Sequence, residues 1–498
     1  MSLDPIVFPI DVTVEAPSPS DKAADTDRFL EGLKRHGLNN VQIPLHIMRR
    51  LPAELRKKDF KVKLAVGLSE EGYRLLDIGR DRIYGIALDI GSTNIECSLF
   101  DLSSGQKIGT GETENRQTGF GNDVLTRVQQ SMMGESSALQ EALAMGVTQV
   151  IGDVCKGHGV SGEDVLAVTV AGNTIMSHFF LGLDVGNIPL SPYVPAVNRA
   201  VFASAKETGL PVNENAVVYV FPNSGSYVGG DIISGMLFTG VHREEEPALF
   251  IDVGTNVEIT LGCKDWIMVG AGAAGPALEG GVASIGKKAA TGTISEVTID
   301  SLSKKIEMGV IGGTEPRGIC GSGLISLVSE MYSARIIDQA GRFTGTGNGI
   351  VEKDGVKAYL LHRSDRAELY LTENEIKNFL LSKAAMFSFL YVFVRSVGLT
   401  FRDIKKVYVA GALGCGIDPE KAITIGMLPD IPRERFIPVG NSSLGGAEMV
   451  LLHRELLQEV NDIATRITYR EMNEDADLMQ VLQGAMFIPH TEPEILKG

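Results

Sequence analysis

Residues 85–101, GIALDIGSTNIECSLFD, put a carboxylate (Asp89), a glycine (Gly91) and three polar residues (Ser92, Thr93, Asn94) at the turn of an expected β-hairpin. A turn chosen only for tightness would use Asn-Gly. Gly91 instead lets a ligand approach the backbone closely. The N–H groups of Ser92, Thr93 and Asn94 can then cradle phosphate oxygens. Asp89 would repel phosphate, so its place is explained by a divalent cation, or a water, between the two. Residues 248–261, ALFIDVGTNVEITL, restate the pattern with one gap, bringing Asp252, Gly254, Thr255 and Asn256 onto Asp89, Gly91, Thr93 and Asn94. One Asp-x-Gly is a weak signal. The chain even supplies a decoy at 75–81, LLDIGRD, where Asp77 and Gly79 have no Ser/Thr turn after them. Two copies with matching flanks point to a duplicated phosphate clamp and to two like-folded lobes.

Further glycine clusters fit a nucleotide pocket. KVYVAGALGCG (406–416) reads as a strand running into a turn at Gly411, Ala412 and Gly414, ahead of a helix near Asp418. FIPVGNSSLGGAEMVLL (436–452) repeats the form, with its turn at Gly440 and Asn441. RGICGSGLISLVSEMY (317–332) places Gly321, Ser322 and Gly323 at a helix start, where amides and the helix dipole favour anions. Each cluster alone could simply allow tight strand–helix packing. Asp231, in VGGDIISGML, is either a charge complementing a helix N-terminus or a third carboxylate able to hold water or Mg²⁺. In AGNTIMSHFF, Asn173 or Thr174 is expected to cap a helix, and His178 to be a satisfied lobe-interface histidine rather than a catalyst. The small-residue loop at 270–284, with Glu279, is either a partner-facing loop or a tight crossing.

These residues need strands and helices to hold them. From Tyr84 onward, strands bounded by Gly-rich turns alternate with helical patterns, an α/β signature. We expect residues 1–25 to be a linker, 26–82 a small satellite domain with one amphipathic helix and two strands, 83–246 the first lobe and 247–498 the second. A chain of 498 residues requires more than one core. Its formal charge of −16 argues against nucleic acid or anionic membrane as the main partner, but not against ATP held at a local site. Five widely spaced cysteines have neither zinc nor iron–sulfur spacing and read as reduced thiols in the cytoplasm. The most apolar stretch (379–399) carries Lys383 and Arg395, which suits a buried helix better than a bilayer span. There is no basic, apolar leader at the start, no P-loop, no H-E-x-x-H and no nucleophile elbow.

Taken together, the motifs resemble the ASKHA superfamily of actin, sugar and acetate kinases and chaperone ATPases. That resemblance implies a two-lobed, duplicated ribonuclease H-like fold with the small N-terminal domain attached. It gives Asp89 and Asp252 the role of holding Mg²⁺ through water, and Asp231 that of positioning the attacking water. A closer likeness covers nearly the whole chain. YGIALDIGSTN, GNTIMSHFFLGLD, GAAGPALEGG, GICGSGLIS, IGMLP and GNSSLGGAE, in that order, look like the reductive activators of corrinoid proteins. The family implies an ATPase that drives Co(II) to Co(I) in a methyltransferase corrinoid protein, working as a cytoplasmic homodimer. Members usually carry an N-terminal 2Fe–2S domain. No cysteine cluster for it is present here, so the electron is expected from a segment upstream or from a separate iron–sulfur protein. Three other readings are weighed alongside: a sugar or acid kinase, an acyl-CoA dehydratase-type activator using Cys320 or Cys415 for a shared cluster, and an actin-like scaffold switched by ATP.

Overall fold

The computed structural model describes residues 2–497 other than 81, 255, 274, 277, 279, 346–348, 365–367, 412–415 and 473–475. The chain divides into two compact units. One comprises Met1–Phe238 and Ser442–Arg466, the other Thr239–Asn441 and Ile467–Gly498.

The first unit holds two sheets. Its six-stranded sheet runs Gln106–Glu114, Asn94–Asp101, Tyr84–Ile90, Val165–Gly172, Val217–Val220, Val201–Ser204. The first three of these form an antiparallel meander, and Val165–Gly172 lies parallel to Tyr84–Ile90. The long helix Ser136–Gly157 covers the meander with Leu139, Leu143, Val147, Val150 and Val154, spaced for one helical face. Before it, the helical pattern is broken at Gly134, where φ is +107°.

A four-stranded sheet in the order Val7–Thr13, Lys61–Ser69, Gly72–Ile78, Val41–Gln42 makes up the N-terminal domain. Here the structure corrects two expectations. Residues 1–25 are not only a linker, because Val7–Thr13 pairs along its whole length with Lys61–Ser69. Its Val12 joins Phe29, Leu33, Leu64 and Leu75 in a separate apolar core. The domain also has two helices rather than one, Asp25–Arg35 and Leu45–Lys57. The second was hidden by Pro52, which sits inside it; Ile47, Leu51 and Leu55 still make a buried stripe at four-residue spacing.

The second unit repeats the order of five strands of the first, its sixth strand joining the opposite edge. Its six-stranded sheet runs Phe436–Gly440, Lys406–Ala410, Ala248–Val253, Asn256–Gly262, Ile267–Ala273, Ile467–Tyr469. Once more an antiparallel meander is followed by two parallel strands. Two three-stranded sheets are added to it. The segment 247–498, expected as one lobe, is not kept together. Ser442–Leu452 and Leu456–Arg466 leave the second unit and pack on the first. Thr169 Oγ1 donates to the Ala447 carbonyl (2.8 Å), and Ser98 and Lys107 both donate to Glu448 (2.5 and 2.6 Å). The next turn is tied to the N-terminal domain through Arg454, whose guanidinium bonds Asp4 and lies over Phe8. Chain order does not decide which sheet a helix covers; its small and apolar faces do.

The helix Glu373–Arg395 is long and apolar enough to cross a membrane, yet its apolar window is largely buried inside the second unit. Lys383, in its middle, is fully buried. Its ammonium donates to the carbonyls of Ala485, Phe487 and Pro489 and so holds the turn after the helix Ala476–Ala485. Burial presses its pKa down to about 7. Lys383→Met removes all three donors while keeping most of the volume. Each orphaned buried carbonyl costs about 1–3 kcal/mol, partly offset by no longer burying an ammonium. We expect a net loss of about 2–3 kcal/mol, read as a lower urea midpoint with an unchanged slope.

Candidate nucleotide site

In the first unit Asp89 stands near the end of the strand Tyr84–Ile90, paired with Glu96 on one side and Ala171 on the other. The turn that follows is so close that a side chain at Gly91 would meet the Asn94 carbonyl at 2.7 Å. Residues 91–94 are half-buried, so the turn keeps an accessible side. Asn94 donates to Glu112 on the third strand (2.7 Å). Asp89 accepts a hydrogen bond from the Ser443 hydroxyl (2.7 Å), delivered by the helix Ser442–Leu452. The Ser443 carbonyl in turn accepts from Ser234 (2.6 Å) on the helix Gly230–Thr239. These helices cross in backbone contact: a Cβ at Gly446 would fall 2.1 Å from the Ser234 carbonyl.

Asp231 occupies the first turn of Gly230–Thr239 and accepts from the Ile232 amide (2.8 Å). The chain entering that turn touches Asn173, just past the strand Val165–Gly172. Asp89, the 91–94 turn and Asp231 therefore gather at the carboxyl ends of the parallel strands, where open α/β sheets place their ligands.

The second unit has the same arrangement. Asp252 pairs with Glu258 and with Ala410, the counterparts of Glu96 and Ala171, and Ala410 pairs in turn with Gly440. Gly411 follows with φ +71°, and a Cβ there would lie 2.5 Å from the Asp252 carboxylate. Only glycine allows that approach. Gly254 turns in open space, Asn256 opens the second strand, and Gly440 ends its strand at φ +63°, next to Asn441. Thr255, Ala412 and Gly414 lie outside the described residues, as do Glu279 and Cys415.

Gly321, Ser322 and Gly323 open the helix Gly321–Ser333 after Cys320, and Ser322 donates to the Ser295 carbonyl (3.2 Å). Beside them is a cavity of about 470 Å³ lined by Ser295, Ser322, Ile325, Gly416, Asp418 and Lys421. Its size suits a small-molecule ligand. Lys421 does not point its charge into free space, since it donates to the Val297 carbonyl and the Ser326 hydroxyl and pairs with Glu330. A larger cavity, about 840 Å³, lies between Tyr391, Arg395 and His490 and includes none of the glycine turns.

The remaining expectations resolve plainly. Burial would raise the Asp77 carboxyl of the decoy, but Arg80, the Ile78 amide and Arg50 together hold it below its usual value. It is an ion-pair node. Asn173 caps its helix through the Met176 amide (3.0 Å). His178 is buried, with Nδ1 on the Thr174 carbonyl and Nε2 accepting from the Ala196 and Val197 amides; burial lowers its pKa. Cys97, Cys155, Cys263 and Cys320 are buried thiols outside any disulfide. Desolvation pushes the Cys97 thiol up to about 12 and raises Cys155. These thiols do not fit an iron–sulfur ligand set. Among the described residues no group of three or more His, Cys, Asp or Glu could hold a metal unaided. Ser443 was not singled out from sequence. Its only signal was a Ser-Ser pair ahead of Leu-Gly-Gly.

Comparison with known proteins agrees along the chain. Residues 1–82 match the RACo linker region, 84–244 the RACo middle region, and 246–497 the C-terminal domain of RACo, the ASKHA domain. The corrinoid activation enzyme RamQ of Eubacterium limosum is 30% identical over 422 residues, 81% of this chain and 70% of that protein. The [Co(II) methylated amine-specific corrinoid protein] reductase of Methanosarcina barkeri is 25% identical over 416 residues, 78% of this chain and 73% of its own. A solved structure of a reductive activator for corrinoid, iron–sulfur protein superposes with a TM-score of 0.93 at 36% identity, over 99% of this chain and 81% of that one. With a doubled sheet, an aspartate at one register in both copies and matches to all three family regions, the chain belongs to the RACo family, the ASKHA-domain reductive activators of corrinoid proteins.

Proposed function

We propose that this protein hydrolyses ATP to drive one electron onto the Co(II) corrinoid of a methyltransferase partner, restoring methyl-accepting Co(I). The observation that carries this reading is the aspartate hairpin repeated at one register in a chain that matches a reductive activator over 99% of its length. Asp89, held by the Ser443 hydroxyl, and Asp252, flanked by Gly411, offer hard oxygen donors suited to Mg²⁺ through water. Mg²⁺, arriving with the nucleotide, supplies charge neutralisation on the transferring phosphoryl group. Asp231 orients the attacking water. The amides of residues 91–94 and 254–256 bind phosphate oxygens. The helix start at Gly321–Gly323, the strand ends before Gly411 and at Gly440, and the 470 Å³ cavity receive the adenosine. The electron comes from an iron–sulfur donor other than the residues described here.

ATP is needed because the acceptor's potential is low. For a one-electron couple about 59 mV is a tenfold change. Raising the acceptor by about 240 mV therefore takes about 5.5 kcal/mol of differential binding, the scale of a full population shift.

Hydrolysis of Mg-ATP by this chain should be stimulated strongly by a corrinoid protein in the Co(II) state and little by its methylated form. Turnover indifferent to the cobalt state would overturn the activator reading and leave only an ATPase. Asp89→Asn and Asp252→Asn should each lower ATP turnover by about 10²-fold or more, the usual scale for a lost electrostatic contact to the reacting phosphoryl group. Near-normal hydrolysis by both variants would remove the two aspartates from the site.

A further inference from the structure

Behind the first phosphate turn lies a buried polar cluster formed by the segment 115–127. Asn115, Gln117 and Arg127 are each fully buried. Gln117 donates to the Leu139 carbonyl (2.9 Å), and Arg127 Nε donates to the Gly121 carbonyl (2.9 Å). Asn115 follows the third strand of the meander and reaches back under the turn. Its Nδ2 donates to the Gly91 carbonyl (2.9 Å), and its backbone amide donates to the Thr93 carbonyl (2.8 Å). Its Oδ1 accepts from the Gln117 backbone N–H (3.0 Å), which sets the orientation of the Asn115 side-chain amide. Nδ2 is also 3.6 Å from the Met176 sulfur, so the group is walled on its far side.

One buried residue thus grips two of the carbonyls in a turn that is otherwise half-exposed. The consequence follows from peptide geometry. In a trans peptide the C=O of one residue and the N–H of the next point to opposite sides. With the Gly91 carbonyl drawn down to Asn115, the Ser92 N–H is turned up, away from the core. The Thr93 carbonyl orients the Asn94 N–H in the same way. A flexible Gly-Ser-Thr turn could otherwise flip either plane, and each flip would present a carbonyl oxygen to the phosphate instead of a donor.

Resting on the ATP reading above, we infer that Asn115 is the positioning residue that holds the first phosphate turn in its anion-binding conformation. It touches no phosphate itself. It acts on ligands that carry a β-phosphate. Gln117 orients Asn115 through its backbone N–H, which any substitution short of proline keeps, and its side chain only braces the Leu139 carbonyl.

The test is calorimetric binding of Mg-ADP and AMP to wild type, Asn115→Asp, Asn115→Ala and Gln117→Leu. Asn115→Asp keeps the volume and the Oδ1 acceptor but removes the donor to Gly91. Both Asn115 variants should bind Mg-ADP about tenfold or more weakly while AMP stays within twofold, and Gln117→Leu should change the ADP-to-AMP ratio by less than twofold. Equal weakening of ADP and AMP, or no weakening of either, overturns the inference. A wild-type measurement guards against variants that fail to fold. Hydrogen exchange at the Ser92 and Asn94 amides should slow when Mg-ADP is added, and unchanged exchange at both overturns the inference. Wild-type protein that binds neither nucleotide would instead refute the ATP reading on which this one stands.

Discussion

In both sheets an aspartate stands one residue before the end of the first meander strand, and the surrounding chain has to close tightly around that strand end. In the second unit the approach is made at Gly411, 2.5 Å from Asp252 measured to the position a Cβ would take. In the first a helix start brings a side-chain hydroxyl instead: Ser443 bonds Asp89, and the close helix crossing at Gly446 and Ser234 is what lets it reach. A carboxylate buried without partners would cost several kcal/mol or take up a proton. Both aspartates avoid this by staying half-buried at the strand ends, and Asp89 also has a hydroxyl to satisfy it. They remain able to act on a cation. The glycines, the helix crossing and the strand register are all conditions for that geometry.

The duplicated sheet is a way of producing that geometry twice. A meander followed by two parallel strands puts three strand ends at one edge, and each unit uses that edge for an acid, a glycine turn and a helix start. What differs between the units is the surrounding layer. The first carries a four-stranded domain, fastened through Arg454 to Asp4 and Phe8. The second carries two small sheets and the helix Glu373–Arg395, whose buried lysine holds three carbonyls of the C-terminal segment. These additions leave the strand ends unaltered, as expected when function sits in a site grafted on a common fold.

The helix Ser442–Leu452 is where chain order and space part. It leaves the last parallel strand of the second unit and closes over the sheet of the first. Its Ser-Ser-Leu-Gly-Gly-Ala start is small enough to cross Gly230–Thr239 at backbone distance, and that crossing brings Ser443 to Asp89. A bulkier residue at 446 would hold the helices apart and take the hydroxyl away from the carboxylate.

From the sequence alone, the two hairpins, their aspartates and glycines, the strand–turn–helix segments and the family could be read. Each of these is local: a period-2 run, a turn that needs glycine, or a cap such as Asn173 is fixed by residues within a few positions of one another. The decoy at Asp77 could be discounted for the same reason, since it lacked the turn residues that follow Asp89 and Asp252. The Val7–Thr13 strand escaped notice because its partner, Lys61–Ser69, is distant in the chain, and the helix at Leu45–Lys57 because Pro52 masked a sound apolar stripe. Ser443, Asn115 and Lys383 look like ordinary polar residues until the fold brings them to a carboxylate, a turn and three carbonyls. Only the tertiary structure could decide those roles, because a hydrogen bond is set by distance in space, and hundreds of residues separate Ser443 from Asp89.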